Sequence, residues 1–353
     1  MTFALIFFNS FLFALTIIFL VVLNRTEEQR RGERLFLLMI AQGCIVFLSS
    51  ILYPVDGFAR IQLLALGVFL QVPVFFIGAS FILRNKYWLF RLLLVFVTIV
   101  IGMIAIDAFL IEPQWLEVSA YSFKSSKLNQ PLKIVLLADI QTDQPGSYEA
   151  EVFALTAAEE PDLVLFAGDY LQIFDSSEYN SQLDEFNSIL KLSHLDPPLG
   201  MYAVRGNVDH ENWEMLFNDL DVDTFQSTNT LDLGPISLTG ISWRDSEDTE
   251  LTVRETDSYH IVFGHSPNYS LGNIRGDLLL AGHTHGGQFQ IPGFGPILTL
   301  SAVPRNWASG LTEISPGQYL LVSRGIGLER GNSPRMRFFC RPQLVIINLF
   351  PAE

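Results

Sequence analysis

Cysteine is almost missing from this chain: there are two in 353 residues, Cys44 and Cys340, and neither has a near neighbour. That excludes a disulfide framework and a CxxC metal site. A basic excess is missing too. Lys and Arg number 22 against 37 Asp and Glu, for a net charge of −15. Such a surface repels polyanions, so nucleic acid is not expected as a partner. The first apolar run lacks a basic n-region and a small-residue cleavage site, and it does not read as a secretory signal peptide.

What is present divides sharply. Residues 1–111 are mostly apolar, with 8 basic and 5 acidic side chains, whereas residues 112–353 carry 14 and 32. Four apolar runs stand out: Phe3–Leu23, Leu35–Tyr53, Ile61–Leu83 and Trp88–Ile111. Each approaches the roughly 20 residues needed to cross about 30 Å of hydrocarbon. Four in succession predict an α-helical transmembrane bundle at 1–111. A polar linker at 112–131 and a soluble domain at 132–353, long enough for a substantial core, complete the division.

The short loops orient the bundle. Arg25, Arg30, Arg31 and Arg34 lie between the first two runs, and Arg84, Lys86 and Arg91 surround the third junction. Only Arg60 marks the second. Cytosolic first and third loops put both chain ends on the opposite side. The soluble domain then faces the periplasm or exterior of a bacterial inner or plasma membrane, although Lys124 and Lys127 point the other way. Asp107 sits near the end of the fourth run and reads as an interfacial residue. Gly67, Pro73 and Gly78 permit a kink or close packing in the third.

In the soluble half, five short apolar runs each end in glycine or a metal-capable side chain. "KIVLLADIQ" delivers Asp139 and Gln141, and "LVLFAGD" delivers Asp169 after Gly168. Tyr148–Glu160, between them, has helical composition, which makes a β-α-β unit. "MYAVRGNVDH" delivers Asn207, Asp209 and His210, "YHIVFGH" delivers His265, and "LLAGHTHGG" delivers His283 and His285. Singly, these are weak signals: such an Asp often caps a helix, Gly-Asn is often a turn, and a lone His is often structural. Together they supply mixed oxygen and imidazole donors in a number that suits two divalent metals.

In order and spacing, these motifs resemble the calcineurin-like metallophosphoesterases from about Lys133 to Leu349. The closing "YLLVSRGIGLERGNSPRMRFFCRPQLVIINL" is similar to the YkuE/YaeI-like branch, and transmembrane metallophosphoesterase-domain proteins share the helices-first arrangement. The resemblance implies an α/β/β/α sandwich with two metals. Asp139, Gln141, Asp169 and His285 would hold the first, and Asp169 as bridge, Asn207, His265 and His283 the second. Mn²⁺ is favoured, with Fe²⁺ or Zn²⁺ as alternatives.

Two positions depart from the family pattern. Gln141 stands where His is usual, and Val208 replaces the His of Gly-Asn-His-Asp. His210 is a candidate substitute for the latter or a solvated loop residue, and Asp209 is expected to orient the loop. Without an acid, good leaving groups are favoured, as in the UDP-diacylglucosamine pyrophosphatases of the superfamily, which also lack this His and work in the cytosol. The expected activity is hydrolysis of a phosphodiester or pyrophosphate bond, lipid-linked substrates included. A degenerate metal-binding membrane sensor or scaffold is the alternative. Arg205, Arg324, Arg335 and Arg337 read equally as phosphate contacts or ion pairs.

The topology makes a direct prediction. In a bacterial host, alkaline phosphatase fused after Glu353 is expected to be active and a fluorescent protein there dark. The reverse pattern would place the soluble domain in the cytosol.

Overall fold

The computed structural model describes residues 2–52, 55–83 and 85–352. Tyr53, Arg84 and Glu353, which entered the span and loop assignments above, lie outside them. The chain forms two compact units, Met1–Leu110 with Asn332–Arg335, and Ile111–Gly331 with Met336–Glu353.

In the first unit the apolar runs are helical: α1 Thr2–Arg25, α2 Arg31–Leu52, α3 Gly57–Leu66, α4 Val72–Ile82 and α5 Trp88–Ile106. Asp56 caps α3 by accepting from the Ala59 N–H at 2.8 Å. A π turn, Gly67–Gln71, joins α3 to α4 just ahead of Pro73, whose ring cannot follow an unbroken α-helix. Among the described residues, four helical stretches are long and apolar enough to cross a membrane: Leu5–Arg25, Glu28–Leu52, Gly57–Ile82 and Trp88–Gln114. Gly67 and Gly78 serve close packing. A Cβ there would lie 2.2 Å from Val46 Cγ1 and 2.5 Å from Leu20 Cδ1, respectively.

The second unit is a two-sheet sandwich. Its strands are β1 Glu117–Ser125, β2 Leu132–Leu137, β3 Leu163–Phe166, β4 Met201–Val204, β5 Val222–Phe225, β6 Asn229–Asp232 and β7 Ile236–Gly240. There follow β8 Tyr259–Phe263, β9 Leu278–Ala281, β10 Gly310–Ser315, β11 Gln318–Val322 and β12 Gln343–Pro351. One sheet runs β1-β12-β2-β3-β4-β5 and the other β10-β11-β9-β8-β7-β6. Parallel central strands buried on both faces need continuous apolar runs. All four residues of β3 and of β4 are buried, and so are all five of β8.

The stretch read as a linker contains β1. It pairs in parallel with β12 from Glu117↔Gln343 to Ser125↔Pro351. As an edge strand with an alternating, half-exposed pattern, it is polar enough to look like a connection. The α layers are unequal as well. α6 Ser147–Ala158 and α7 Ser176–Leu192 cover the first sheet. Over the second lie short pieces: the 3-10 turn Pro267–Leu271 and α8 Trp243–Ser246. Tyr269 fills that layer, and its hydroxyl donates to Val262 O and Leu280 O. Between the sheets, Leu136, Leu165, Val204, Leu238, Phe263 and Leu280 form one apolar core.

Arg337 is fully buried and belongs to the framework. Its guanidinium donates to the carbonyls of Arg324 (2.8 Å), Gly327 (2.6 Å) and Cys340 (2.9 Å). That fixes a loop whose Gly327 N–H donates to Asp139 O at 2.7 Å. Arg337→Met strands several buried carbonyls at about 1–3 kcal/mol each. Thermal unfolding should show a midpoint about 10 °C lower; an unchanged midpoint would contradict the role.

Candidate active site

Every predicted metal ligand stands just past the carboxyl end of a central strand: Asp139 and Gln141 after β2, Asp169 after β3, Asn207 after β4, His265 after β8, and His283 and His285 after β9. The turns that carry them are unusual. Asp139, Gln141, Asp169, His283 and His285 have φ of 49°, 36°, 56°, 71° and 49°. Non-glycine residues there cost about 1–3 kcal/mol each and persist only where the surroundings impose them. Asp209 imposes two of these turns at once. Its buried carboxylate accepts from the N–H groups of Asp169 (2.8 Å), Tyr170 (2.7 Å) and Gly206 (2.8 Å). Gly206 must be glycine, since a Cβ would sit 2.1 Å from Asp169 Oδ1.

These turns bring lone pairs together. Asn207 Oδ1 lies 3.0 Å from His265 Nε2 and 2.9 Å from His283 Nδ1. The two ring nitrogens are 3.2 Å apart, and Asp169 Oδ2 is 3.2 Å from His265 Nε2. The outer nitrogens have their own partners: His265 Nδ1 meets Ala167 O at 2.8 Å, and His283 Nε2 faces Glu247 Oε1 at 4.0 Å. In the neutral rings the protons assigned on that basis lie outward, which leaves Nε2 of His265 and Nδ1 of His283 facing inward. Among the described residues, Gln141 Oε1 and both ring nitrogens of His285 are buried without a hydrogen-bond partner. Asp139 accepts from the His283 N–H at 2.8 Å and lies 3.7 Å from His265 Nδ1. Converging oxygen and imidazole donors with too few protons between them fit divalent cations. Asp169, His265 and His283 form one such cluster, their ligand atoms within 4.8 Å of one another.

Residues 132–287 match the family model described as calcineurin-like phosphoesterase. This chain carries a calcineurin-like phosphoesterase domain. It is 27% identical to a metallophosphoesterase of Aquifex aeolicus, over 68% of this chain and 94% of that one. It is 26% identical to the metallophosphoesterase YkuE of Bacillus subtilis, over 68% and 87% of the two chains. With YaeI of Escherichia coli, named a phosphodiesterase, it shares 27% identity over 67% and 90%.

Within the phosphoesterase domain, the side chains of Asp209 and His210 are engaged away from the converged atoms. Asp209 is consumed by the three backbone N–H groups and acts as a positioning residue. The His210 ring stacks on Tyr179 at 4.0 Å, and its Nε2 is 3.5 Å from Ile173 O. Among the described residues it makes no hydrogen bond to the converged atoms. Val208 offers only its N–H, to Asp169 Oδ1 at 2.9 Å. Arg205 donates to Asp209 O and Arg324 pairs with Glu117, so both are structural. Four residues at the site escaped the sequence. Gln172 and Glu329 bind the Gln141 amide. Glu247 faces His283, and Trp243 packs beside His265 and His283 with ring centroids 5.5 and 6.0 Å away.

The electrostatics follow from burial and crowding. Burial pushes Asp139 up to about 7, and burial with Asp169 does the same to Asp209. Burial would raise Asp169 too, but His265 and the Val208 N–H hold it low. Burial would lower His265, yet Asp169 and Asp139 carry it up to about 9. Burial and His265 push His283 down to about 4, and burial with Arg337 takes His285 well down. A raised histidine stabilises the fold below its ordinary 6.5, and that share is lost as pH climbs through 9. Asp139 and Asp209, half titrated at about 7, add a loss of the same sign at the lower edge of that window. The metal-free chain should therefore melt at steadily lower temperature from pH 7 to 9, and saturating Mn²⁺ should remove the slope. An equal slope with and without Mn²⁺ would contradict the assignment.

Proposed function

We propose that the protein is a membrane-anchored, two-metal phosphoesterase acting on a phosphodiester or pyrophosphate bond, with its soluble domain on the outer face of the membrane. The observation that carries this is the convergence of Asp169, Asn207, His265 and His283, with unpartnered donor atoms on Gln141 and His285 beside them. Asp139, Gln141, Asp169 and His285 would hold one cation, and Asp169, Asn207, His265 and His283 the other. Bound there, the cations supply Lewis-acid activation of water and offset charge on the phosphoryl oxygens.

The chain's own residues do the rest. Asn207 and His283 are the ligand positions that reach solvent, so the scissile group enters on their side, along the Trp243 ring. Val208 cannot protonate a leaving group, which favours substrates whose leaving group is stable as an anion. A lipid-linked substrate is supported by the stretch Gln288–Pro304, which has no charged residue in a strongly acidic domain. It exposes Ile291, Phe294, Ile297, Leu298 and Leu300. It also begins beside His285: a Cβ on Gly287 would lie 2.6 Å from both Pro296 Cβ and Leu298 O. The four apolar helices would keep such a substrate close.

The test uses the full chain in detergent with Mn²⁺, bis-p-nitrophenyl phosphate and p-nitrophenyl phosphate. Diester cleavage should exceed monoester cleavage and fall about 100-fold or more in Asp169→Asn. No cleavage with Mn²⁺, Fe²⁺ or Zn²⁺ would favour the degenerate sensor, for which Gln141 and Val208 are the motivating residues.

A further inference from the structure

Gln141 stands where the family pattern has an imidazole. An amide has a ligand end and a non-ligand end, so its use at a metal site depends on what fixes its orientation. Here the Nε2 group donates to Gln172 Oε1 at 2.9 Å and to Glu329 Oε2 at 3.0 Å. Gln172 cannot turn over, because its Oε1 also accepts from the Arg330 N–H at 2.6 Å and its Nε2 donates to Glu329 Oε1 at 2.7 Å. Glu329 is held through its own N–H, which donates to Gln288 Oε1 at 3.2 Å. The backbone beneath is pinned as well: Arg330 Nε donates to Gln141 O at 2.8 Å. Both amide hydrogens of Gln141 are thus committed, and Oε1 is left buried and unpartnered.

A flipped amide would set Oε1 against two acceptor oxygens, one of them a carboxylate. Resting on the two-metal reading above, we propose that Glu329, with Gln172, is the positioning residue that makes Gln141 a ligand through its carbonyl oxygen. The clamp renders the two metal positions chemically unequal. One receives oxygen from Asp139, Gln141 and Asp169 and nitrogen from His285 alone. The other receives oxygen from Asp169 and Asn207 and nitrogen from His265 and His283. Harder cations suit the first.

The sharpest variant is Glu329→Gln, which keeps the shape. Its amide must turn hydrogens toward the amide group of Gln141 or of Gln172. Because Gln172 is pinned by Arg330, the strain falls on Gln141. The full chain in detergent is stripped with chelator and titrated with Mn²⁺, following loss of the free-ion electron paramagnetic resonance signal. The wild type should bind two Mn²⁺. Glu329→Gln should weaken one position by about ten-fold or more and leave the other unaltered. Gln141→Leu should lose the same position, and Glu329→Gln in that background should weaken nothing further. Should Glu329→Gln not fold, Gln172→Leu, which keeps the carboxylate, should weaken the same position. Unchanged isotherms in the folded variants, or an equal further loss in the Gln141→Leu background, would overturn the clamp and leave the two-metal reading standing. A wild type that binds fewer than two Mn²⁺ would overturn both.

Discussion

The structure depends on a repulsion that must be overcome. Asn207 Oδ1, Asp169 Oδ2, His265 Nε2 and His283 Nδ1 crowd within about 3 Å of their neighbours in a mostly buried pocket, and all but one proton's worth of that density is lone pair. In a low dielectric such crowding is strongly unfavourable. The backbone holds it in place. Asp209 ties the turns after β3 and β4 together through three N–H groups, and Asp139 N donates to Gly168 O at 3.1 Å across the neighbouring pair of strands. The second sheet joins by the same device, its His283 N–H donating to the Asp139 carboxylate.

That requirement explains features that look like separate oddities. Five ligand residues adopt left-handed conformation in short turns after parallel strands, where the surrounding hydrogen bonds hold them. Gly206 is fixed by the approach of Asp169, and Gly282 by that of Asp139, where a Cβ would be 2.7 Å from Oδ2. The buried Arg337 acts at one remove, holding the carbonyls of the loop that grips Asp139. Strain at the site and rigidity around it are one arrangement, because such conformations last only where the framework cannot relax.

How much of this was legible in the sequence follows from the range of each interaction. The five strand ends were visible because an unbroken apolar run, a glycine and a polar ligand are contiguous. β1 was missed because its partner β12 lies at the other end of the chain and its half-exposed pattern mimics a link. The layer over the second sheet left no periodic pattern to read, because short turns with Val253, Tyr269 and Ile274 do the covering. His210 was drawn in by nearness to Asn207 in sequence, although its ring turns away to Tyr179. Gln172 and Glu329 had no local signature, since they meet Gln141 only through tertiary contact.

The two departures from the family pattern are therefore not alike. The loss of imidazole at Gln141 is met by a network of its own, with acceptors placed so that only the carbonyl oxygen is left for the site. A donor position that had drifted out of use would not keep both amide hydrogens engaged and the oxygen unsatisfied, because a buried orphan acceptor costs about 1–3 kcal/mol. At Val208 nothing comparable stands in among the described residues. Its side chain is apolar, and His210 is held by Tyr179. The site thus brings together donor atoms that could hold metal, while position 208 offers no side-chain acid. On the reading proposed above, that combination fits a reaction whose leaving group needs no proton.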